Sequence, residues 1–182
     1  YIHIPFCVKK CAYCDFLSGP AGEKEKEEYV KMLVDEIRNC PDTVQNYKVI
    51  SIFFGGGTPS LLTGEQIGRL MDTVREIFTL DEDAEITMEM NPGTVTEEKL
   101  RKYRQAGVNR LSIGLQSVND EELRLLGRIH TYEEFREAYH LARANGFSNI
   151  NVDLISAIPG QTVESWRRTL EQVMALSPEH IS

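Results

Sequence analysis

The chain has 182 residues, of which 41% are hydrophobic and 26% charged, and its formal net charge is −8. Such a composition is typical of a globular domain with one sizeable core. The acidic balance argues against a nucleic-acid-binding surface, which requires clustered Lys and Arg. We find neither an apolar stretch of roughly 18 residues, as a transmembrane helix needs, nor a signal peptide, and therefore expect a cytoplasmic protein.

Short strand-like segments alternate with amphipathic helical segments along the whole chain. The predicted strands cover residues 1–5, 49–54, 85–90, 110–115 and 150–155, and residues 179–182 begin a sixth. Alternation of this kind predicts an α/β fold with a parallel sheet and right-handed crossovers. It leaves open whether the sheet curves into a barrel or forms a doubly wound structure.

The helical segments have buried stripes and recognisable ends. One stripe is formed by Ile67, Leu70 and Val74, and another, in the last helix, by Trp166, Leu170, Val173 and Met174. The pairs Thr63 with Gln66 and Thr131 with Glu134 have the residue types of capping boxes. Gly107 and Gly146 occur where helix ends favour a left-handed residue.

The domain organisation is predicted to be simple. No linker composition interrupts residues 1–182, so we predict a single core domain. The chain opens inside an apolar run without an initiator Met and stops within a strand-like segment. We therefore expect it to be a fragment of a longer protein that lacks a C-terminal region.

Polar and glycine-rich groups follow each predicted strand. They are Cys7, Cys11 and Cys14; Gly55, Gly56, Gly57 and Thr58; Glu89 and Asn91; Gln116 and Ser117; and Asp153. In parallel α/β folds the carboxyl ends of the strands form the ligand-binding edge. The sequence thus predicts one functional face that collects groups from five strands.

Three of the four cysteines lie within eight residues, in the spacing Cys-x3-Cys-x2-Cys. Small disulfide-rich domains are shorter and more cysteine-dense, so metal binding is favoured over disulfides. Three thiolates suit an iron–sulfur cluster, in which one iron then stays free to bind a chelating ligand. The alternative is a Cys3His zinc site that recruits His3 or a distant His.

The glycine run and the polar residues at the strand ends also have purely structural interpretations. The Gly55–Gly57 run is compatible with an ordinary tight turn, and the absence of a following Lys argues against a phosphate-binding P-loop. Glu89 and Asp153 could serve as cap or ion-pair residues, and Gln116 as a turn residue. We expect Cys40 to be a small buried side chain and Trp166 to pack in the core.

The segment Tyr1-Ile2-His3-Ile4-Pro5-Phe6-Cys7-Val8-Lys9-Lys10-Cys11-Ala12-Tyr13-Cys14-Asp15-Phe16 closely resembles the cluster loop of the radical S-adenosylmethionine (SAM) superfamily. Within it, the chain is similar to the oxygen-independent coproporphyrinogen III oxidase group and its heme-chaperone relatives. The resemblance implies a partial parallel (β/α)6 barrel, truncated at the start of its sixth strand. It further implies a 4Fe–4S cluster on Cys7, Cys11 and Cys14 that reductively cleaves SAM to a 5′-deoxyadenosyl radical.

The same resemblance implies where SAM would bind. Gly56, Gly57 and Thr58 correspond to the motif that receives the methionine amino group, and Arg128 to the residue that pairs with the methionine carboxylate. The other implied contacts are Tyr13 near the adenine, Glu89 near the amino group or ribose, and Gln116 and Asp153 around the ribose. Tyr1 is a further implied cofactor contact. The planar fork of an Arg suits a carboxylate, and acidic groups suit ribose hydroxyls. The apolar run at 155–159 offers a further surface for adenine.

Phe16 decides the branch within this group. The oxidases resemble Cys-x3-Cys-x2-Cys-x-Cys, and Phe16 occupies the place of their fourth cysteine. The resemblance therefore favours a heme chaperone that passes heme to respiratory-chain proteins, with decarboxylation of coproporphyrinogen III as the alternative and a zinc-binding α/β module as a second one. The expected ligands and partners are SAM, heme or porphyrin, and an electron donor such as flavodoxin or ferredoxin.

Overall fold

The computed structural model describes residues 1–182, except for the side chains of residues 42 and 45. Six parallel strands form one sheet: β1 (Ile2–Ile4), β2 (Lys48–Gly56), β3 (Thr79–Met90), β4 (Arg110–Gln116), β5 (Ile150–Leu154) and β6 (His180–Ile181). Six α-helices accompany them: α1 (Glu23–Arg38), α2 (Gly64–Ile77), α3 (Glu97–Ala106), α4 (Asp120–Leu125), α5 (Tyr132–Ala144) and α6 (Val163–Ala175). Short 3-10 helices span Asp42–Asn46 and Pro59–Leu61.

The strands pair in the order in which they occur along the chain, from β1 to β6. A doubly wound sheet requires the strand order to reverse, whereas right-handed crossovers between successive neighbours place every helix on the same face. The sheet is therefore the open wall of a partial barrel. This resolves the ambiguity that the sequence pattern left.

The core lies between the sheet and its helices because alternate strand residues point towards them. In β3, Ile86, Met88 and Met90 are buried in the same cluster as Leu70 of α2 and Leu100 of α3. Burying several such side chains stabilises the fold by about 1.5–3 kcal/mol each. The opposite face of β3, β4 and β5 carries mainly polar side chains.

The helix ends have the capping boxes and left-handed glycines that the sequence predicts. The capping boxes at Thr63 with Gln66 and at Thr131 with Glu134 are both formed. Gly107 ends α3 with φ 104°, and Gly146 follows α5 with φ 84°. Positive φ values of this size strain any residue with a Cβ atom, which explains the two glycines.

Three expectations about burial need correction. Cys40 is only half-buried, since it follows the last turn of α1 and its thiol reaches Glu36 O. Trp166 is likewise half-buried and lies outside the core cluster, and Met174 is 64% exposed. In α6 only Val173 of the predicted stripe is completely buried.

No helix in the described part of the chain is both long enough and apolar enough to cross a membrane.

Candidate cofactor site

A cavity of about 330 Å³ opens at the carboxyl ends of the strands. Eleven of the residues predicted for the site line it: Cys7, Cys11, Tyr13, Cys14, Gly56, Gly57, Thr58, Glu89, Gln116, Arg128 and Asp153. Tyr1 is not in the lining; its ring stacks on Phe53, 6.1 Å away between centroids. The lining also includes no residue from 155–159, where Ile158 is buried instead.

The cysteine loop is closed at its base by backbone hydrogen bonds. Cys7 N donates to Gly19 O at 2.9 Å, and Gly19 N donates to Pro5 O at 3.0 Å. Farther along, Ala12 N donates to Leu126 O at 2.9 Å. The first residues of the loop are thus bonded to its last residue, Gly19, and its middle is bonded to the end of α4. These bonds fix the three thiols over the sheet edge.

Two of the thiols contact polar side chains at the cavity wall. Cys7 Sγ lies 3.5 Å from Thr58 Oγ1, and the Arg128 guanidinium approaches Cys11 Sγ at 3.7 Å. Among the described residues, no three His, Cys, Asp or Glu side chains converge on a single ion position. A cluster of several irons takes each thiolate on a different iron, so these donors suit it.

His3 is engaged in holding the loop. Its Nε2 lies 3.0 Å from Leu17 O, and its Nδ1 lies 3.2 Å from the Tyr1 hydroxyl. Because both ring nitrogens have partners, His3 is not placed as a fourth zinc ligand, which was one of the two choices in the zinc interpretation.

The glycine motif packs directly against the cysteine loop. Gly57 N donates to Ile4 O at 2.8 Å, and Thr58 N donates to Phe6 O at 2.7 Å. A Cβ atom on Gly57 would lie 2.6 Å from Phe6 O, closer than any real contact, so no larger residue fits. The glycines therefore couple the end of β2 to the start of the loop.

Glu89 faces the cavity from the end of β3. Gly56 N donates to its Oε2 at 3.0 Å. Burial raises the pKa of this carboxyl and the Asp153 charge adds to the rise, whereas the bond from Gly56 opposes it. A carboxylate held in such surroundings gains from an incoming cationic group.

Arg128 is held by groups from two strands. Its Nη2 donates to Asn91 Oδ1 at 2.7 Å and to Gly114 O at 2.6 Å, while its buried Nε has no partner among the described residues. Asn91 also donates to Thr58 Oγ1 at 2.8 Å and so links Arg128 to the glycine motif. The sequence indicates that Asn91 lies at a strand end, but its role as a bridge between Arg128 and Thr58 was not predicted.

Gln116, Asp153 and Tyr13 complete the walls. Gln116 is buried with φ 77°, and its carbonyl accepts from Ile155 N at 3.0 Å. Asp153 is oriented by hydrogen bonds from Ser112 Oγ at 2.9 Å and Asn151 Nδ2 at 2.8 Å. Burial raises the pKa of Tyr13 to about 12, against the effect of Arg128, so its hydroxyl stays protonated.

Comparison with known proteins agrees with this geometry. Residues 1–173 match the radical SAM superfamily. The chain belongs to the radical SAM superfamily. It is 46% identical to the heme chaperone HemW of Escherichia coli over 183 residues, covering 100% of this chain and 48% of that protein. It is 36% identical to the zebrafish (Danio rerio) protein named radical S-adenosyl methionine domain-containing protein 1, mitochondrial, covering 100% of this chain and 41% of that one.

A solved structure supports the radical SAM fold. Coproporphyrinogen III oxidase (HemN) from Escherichia coli superposes with a TM-score of 0.90 at 37% identity, covering 100% of this chain and 43% of that chain. The chain therefore spans about half the length of the curated relatives it matches. The partial radical SAM barrel expected from the resemblance is confirmed. The zinc-module alternative is set aside, because a radical SAM domain implies SAM and a 4Fe–4S cluster.

Glu122 joins three chain segments outside the lining of the cavity. This buried carboxylate accepts hydrogen bonds from Ser117 Oγ at 2.5 Å, from Gln161 Nε2 at 2.8 Å and from the Ser165 hydroxyl. Burial acts to raise the pKa of the carboxyl, but these bonds outweigh it and lower the pKa. Ser117 follows the left-handed Gln116, so the network ties the end of β4 to the start of α6. Sequence inspection missed it, since the partners are distant along the chain.

Replacing Glu122 by Gln is expected to lower the free energy of unfolding by about 1–2 kcal/mol. The substitution replaces one accepting oxygen by an amide nitrogen that donates, so donors of the network then face another donor. Urea unfolding of the wild type and the variant measures the change. The exposed neighbour Glu121→Gln is the matched control and should stay within about 0.5 kcal/mol of the wild type. Equal losses in both variants would contradict the network's role.

His130 gives the domain a predictable response to acid. Burial and the Arg128 charge lower its pKa to about 4, so the folded protein keeps it neutral, whereas the unfolded chain titrates near its ordinary pKa of about 6.5. Between these two pKa values the unfolded state binds more protons than the folded state. The contribution of His130 to the free energy of unfolding is therefore intact above about pH 6.5 and is lost as the pH falls towards 4. As the pH is lowered through this window, the melting temperature of His130→Gln should fall less steeply than that of the wild type. His140→Gln, at an exposed helix position, should follow the wild-type curve.

Proposed function

We propose that Cys7, Cys11 and Cys14 hold a 4Fe–4S cluster and that the adjoining cavity binds SAM. The cluster supplies the electron for reductive cleavage of SAM. Glu89 and the glycine motif receive the methionine amino group, Arg128 receives its carboxylate, and Gln116 with Asp153 surrounds the ribose. This assignment is supported by the convergence of all these residues on one cavity.

We infer further that the whole protein is a heme chaperone acting in the cytoplasm. The single observation that supports this choice is Phe16, which occupies the place of the oxidases' fourth cysteine and is exposed at the cavity lining. Relatives of 46% and 42% identity, from Escherichia coli and Haemophilus influenzae, bear the name heme chaperone HemW. The proposed partners are heme, a reducing flavodoxin or ferredoxin, and a respiratory-chain protein that accepts the heme.

A coproporphyrinogen III oxidase is the second candidate, because the oxidase HemN shares the fold at a TM-score of 0.90. Incubation of the full-length protein with coproporphyrinogen III, SAM and a reductant separates the two functions. We expect stable heme binding and no formation of protoporphyrinogen. Production of protoporphyrinogen at more than a trace level would overturn the chaperone proposal.

A further inference from the structure

The cavity beside the cysteines is unsuited to a porphyrin macrocycle. Its volume of about 330 Å³ is at the small end of ligand pockets. Glu89, Asp153 and Arg128 line it with charged groups, and a flat apolar ring would leave these groups desolvated without partners. With SAM in place the remaining space is smaller still. A heme bound at this edge of the sheet would therefore contact protein surface outside the cavity.

The cysteine loop exposes three apolar side chains, although it is anchored at its base. Phe16, which lines the cavity, is 65% exposed and the next residue, Leu17, 82%. Val8, which lines a second pocket together with Lys9, is 56% exposed. Single exposed apolar residues are ordinary, but a group of them beside a ligand cavity marks an interaction surface. We call the five residues Val8, Lys9, Lys10, Phe16 and Leu17 the loop rim.

The loop rim is positively charged within an acidic chain. Lys9 and Lys10 are exposed, and both line the cavity together with Phe16. Lys10 Nζ donates to Phe16 O at 3.1 Å, which holds the cation next to the aromatic residue. Asp15 is the carboxylate of the same loop, so the local balance is two cations to one anion, against a net charge of −8 for the chain. An apolar surface flanked by lysines complements a flat apolar ligand that bears carboxylates.

We propose that the loop rim binds the heme macrocycle, with Phe16 and Leu17 against the ring and Lys9 and Lys10 paired with the propionates. This inference rests on the proposed chaperone function and names the surface that serves it. It places heme at the edge of the cluster cavity rather than inside the barrel. The position of Phe16 then has a physical role, because a cysteine there would offer less apolar area.

Heme titration of the full-length, cluster-loaded protein tests the proposal. Charge reversal by Lys9→Glu with Lys10→Glu should weaken heme binding by about tenfold or more, as expected for lost charged contacts. The same variant should bind heme dimethyl ester within about twofold of wild type, because esterification removes the carboxylates that the lysines contact. Phe16→Ser with Leu17→Ser should weaken both ligands by about tenfold.

Matched controls separate a local effect from a general one. Lys31→Glu with Lys48→Glu makes the same charge change on α1 and at the amino end of β2, and should leave heme affinity unchanged. Iron content and the visible spectrum of each variant verify that the cluster persists.

Each outcome decides between distinct conclusions. If the wild type binds no heme, the chaperone function itself fails. If the wild type binds heme and the rim variants bind it equally well, only the loop-rim inference fails. If the lysine variant binds heme normally but is reduced more slowly by flavodoxin, the rim is a docking surface for the electron donor, which also overturns the inference.

Discussion

Replacing Cys7, Cys11 or Cys14 by Ala is expected to abolish the broad visible absorption of the iron–sulfur cluster after anaerobic reconstitution. Each thiolate binds a different iron, so the loss of one leaves a second iron without a protein ligand and the cluster without a stable site. Absorption spectra and iron and sulfide content measure the result. The effect should be essentially complete for each of the three variants.

Cys40→Ala is the matched control for this experiment. Cys40 lies at the end of α1, with its thiol directed at Glu36 O rather than towards the cavity. We expect this variant to reconstitute like the wild type. A full iron complement in all three loop variants, or an equal loss in Cys40→Ala, would refute the assignment of the ligands.

Arg128→Gln is expected to leave the cluster in place and to weaken SAM binding by about 2–3 kcal/mol, or about 30- to 150-fold. The guanidinium is oriented by Asn91 and Gly114, so its fork is prepared for a carboxylate before the ligand arrives. Glutamine has neither the charge nor the fork. Equilibrium binding of SAM to the reconstituted protein measures the change.

Arg124→Gln removes a charge of the same sign from an exposed position on α4 and controls for long-range electrostatics. Its SAM affinity should match that of the wild type. Thermal melting checks that Arg128→Gln still folds, since the variant also loses the hydrogen bonds of the guanidinium to Cys11, Asn91 and Gly114. Unchanged SAM affinity in a folded Arg128→Gln would remove this residue from the proposed site.

The strands and helix ends could be predicted because their causes are local. Apolar alternation places β4 at Arg110–Gln116, one residue from the predicted end, and the Thr131–Glu134 capping box starts α5. β3 is longer than predicted, beginning at Thr79, because the polar run 81–85 hides its first half. The short helix α4 was not predicted, as six residues are too few to show a period.

The site was predictable in outline for a different reason. Parallel strands bring their carboxyl ends to one edge, so the polar residues that follow them meet there whatever their separation along the chain. What joins them to one another could not be predicted in this way. The contact of Asn91 with Arg128 and that of Glu122 with Gln161 span 37 and 39 residues, and no periodicity encodes such pairs. Strand order, which separates a barrel from a doubly wound sheet, is likewise a tertiary property.

The closed base of the cysteine loop separates protein folding from metal binding, two events that many metalloproteins combine. In zinc fingers the metal supplies the folding energy, so the apoprotein is unfolded. Here the bonds among Pro5, Cys7 and Gly19, together with the contact of His3 with Leu17, restrict the loop through the protein's own atoms. Most of the entropy of loop closure is therefore lost during folding of the barrel. Oxidative damage to the cluster should then leave a folded apoprotein that can be reloaded, so the working lifetime of the polypeptide need not match that of its iron.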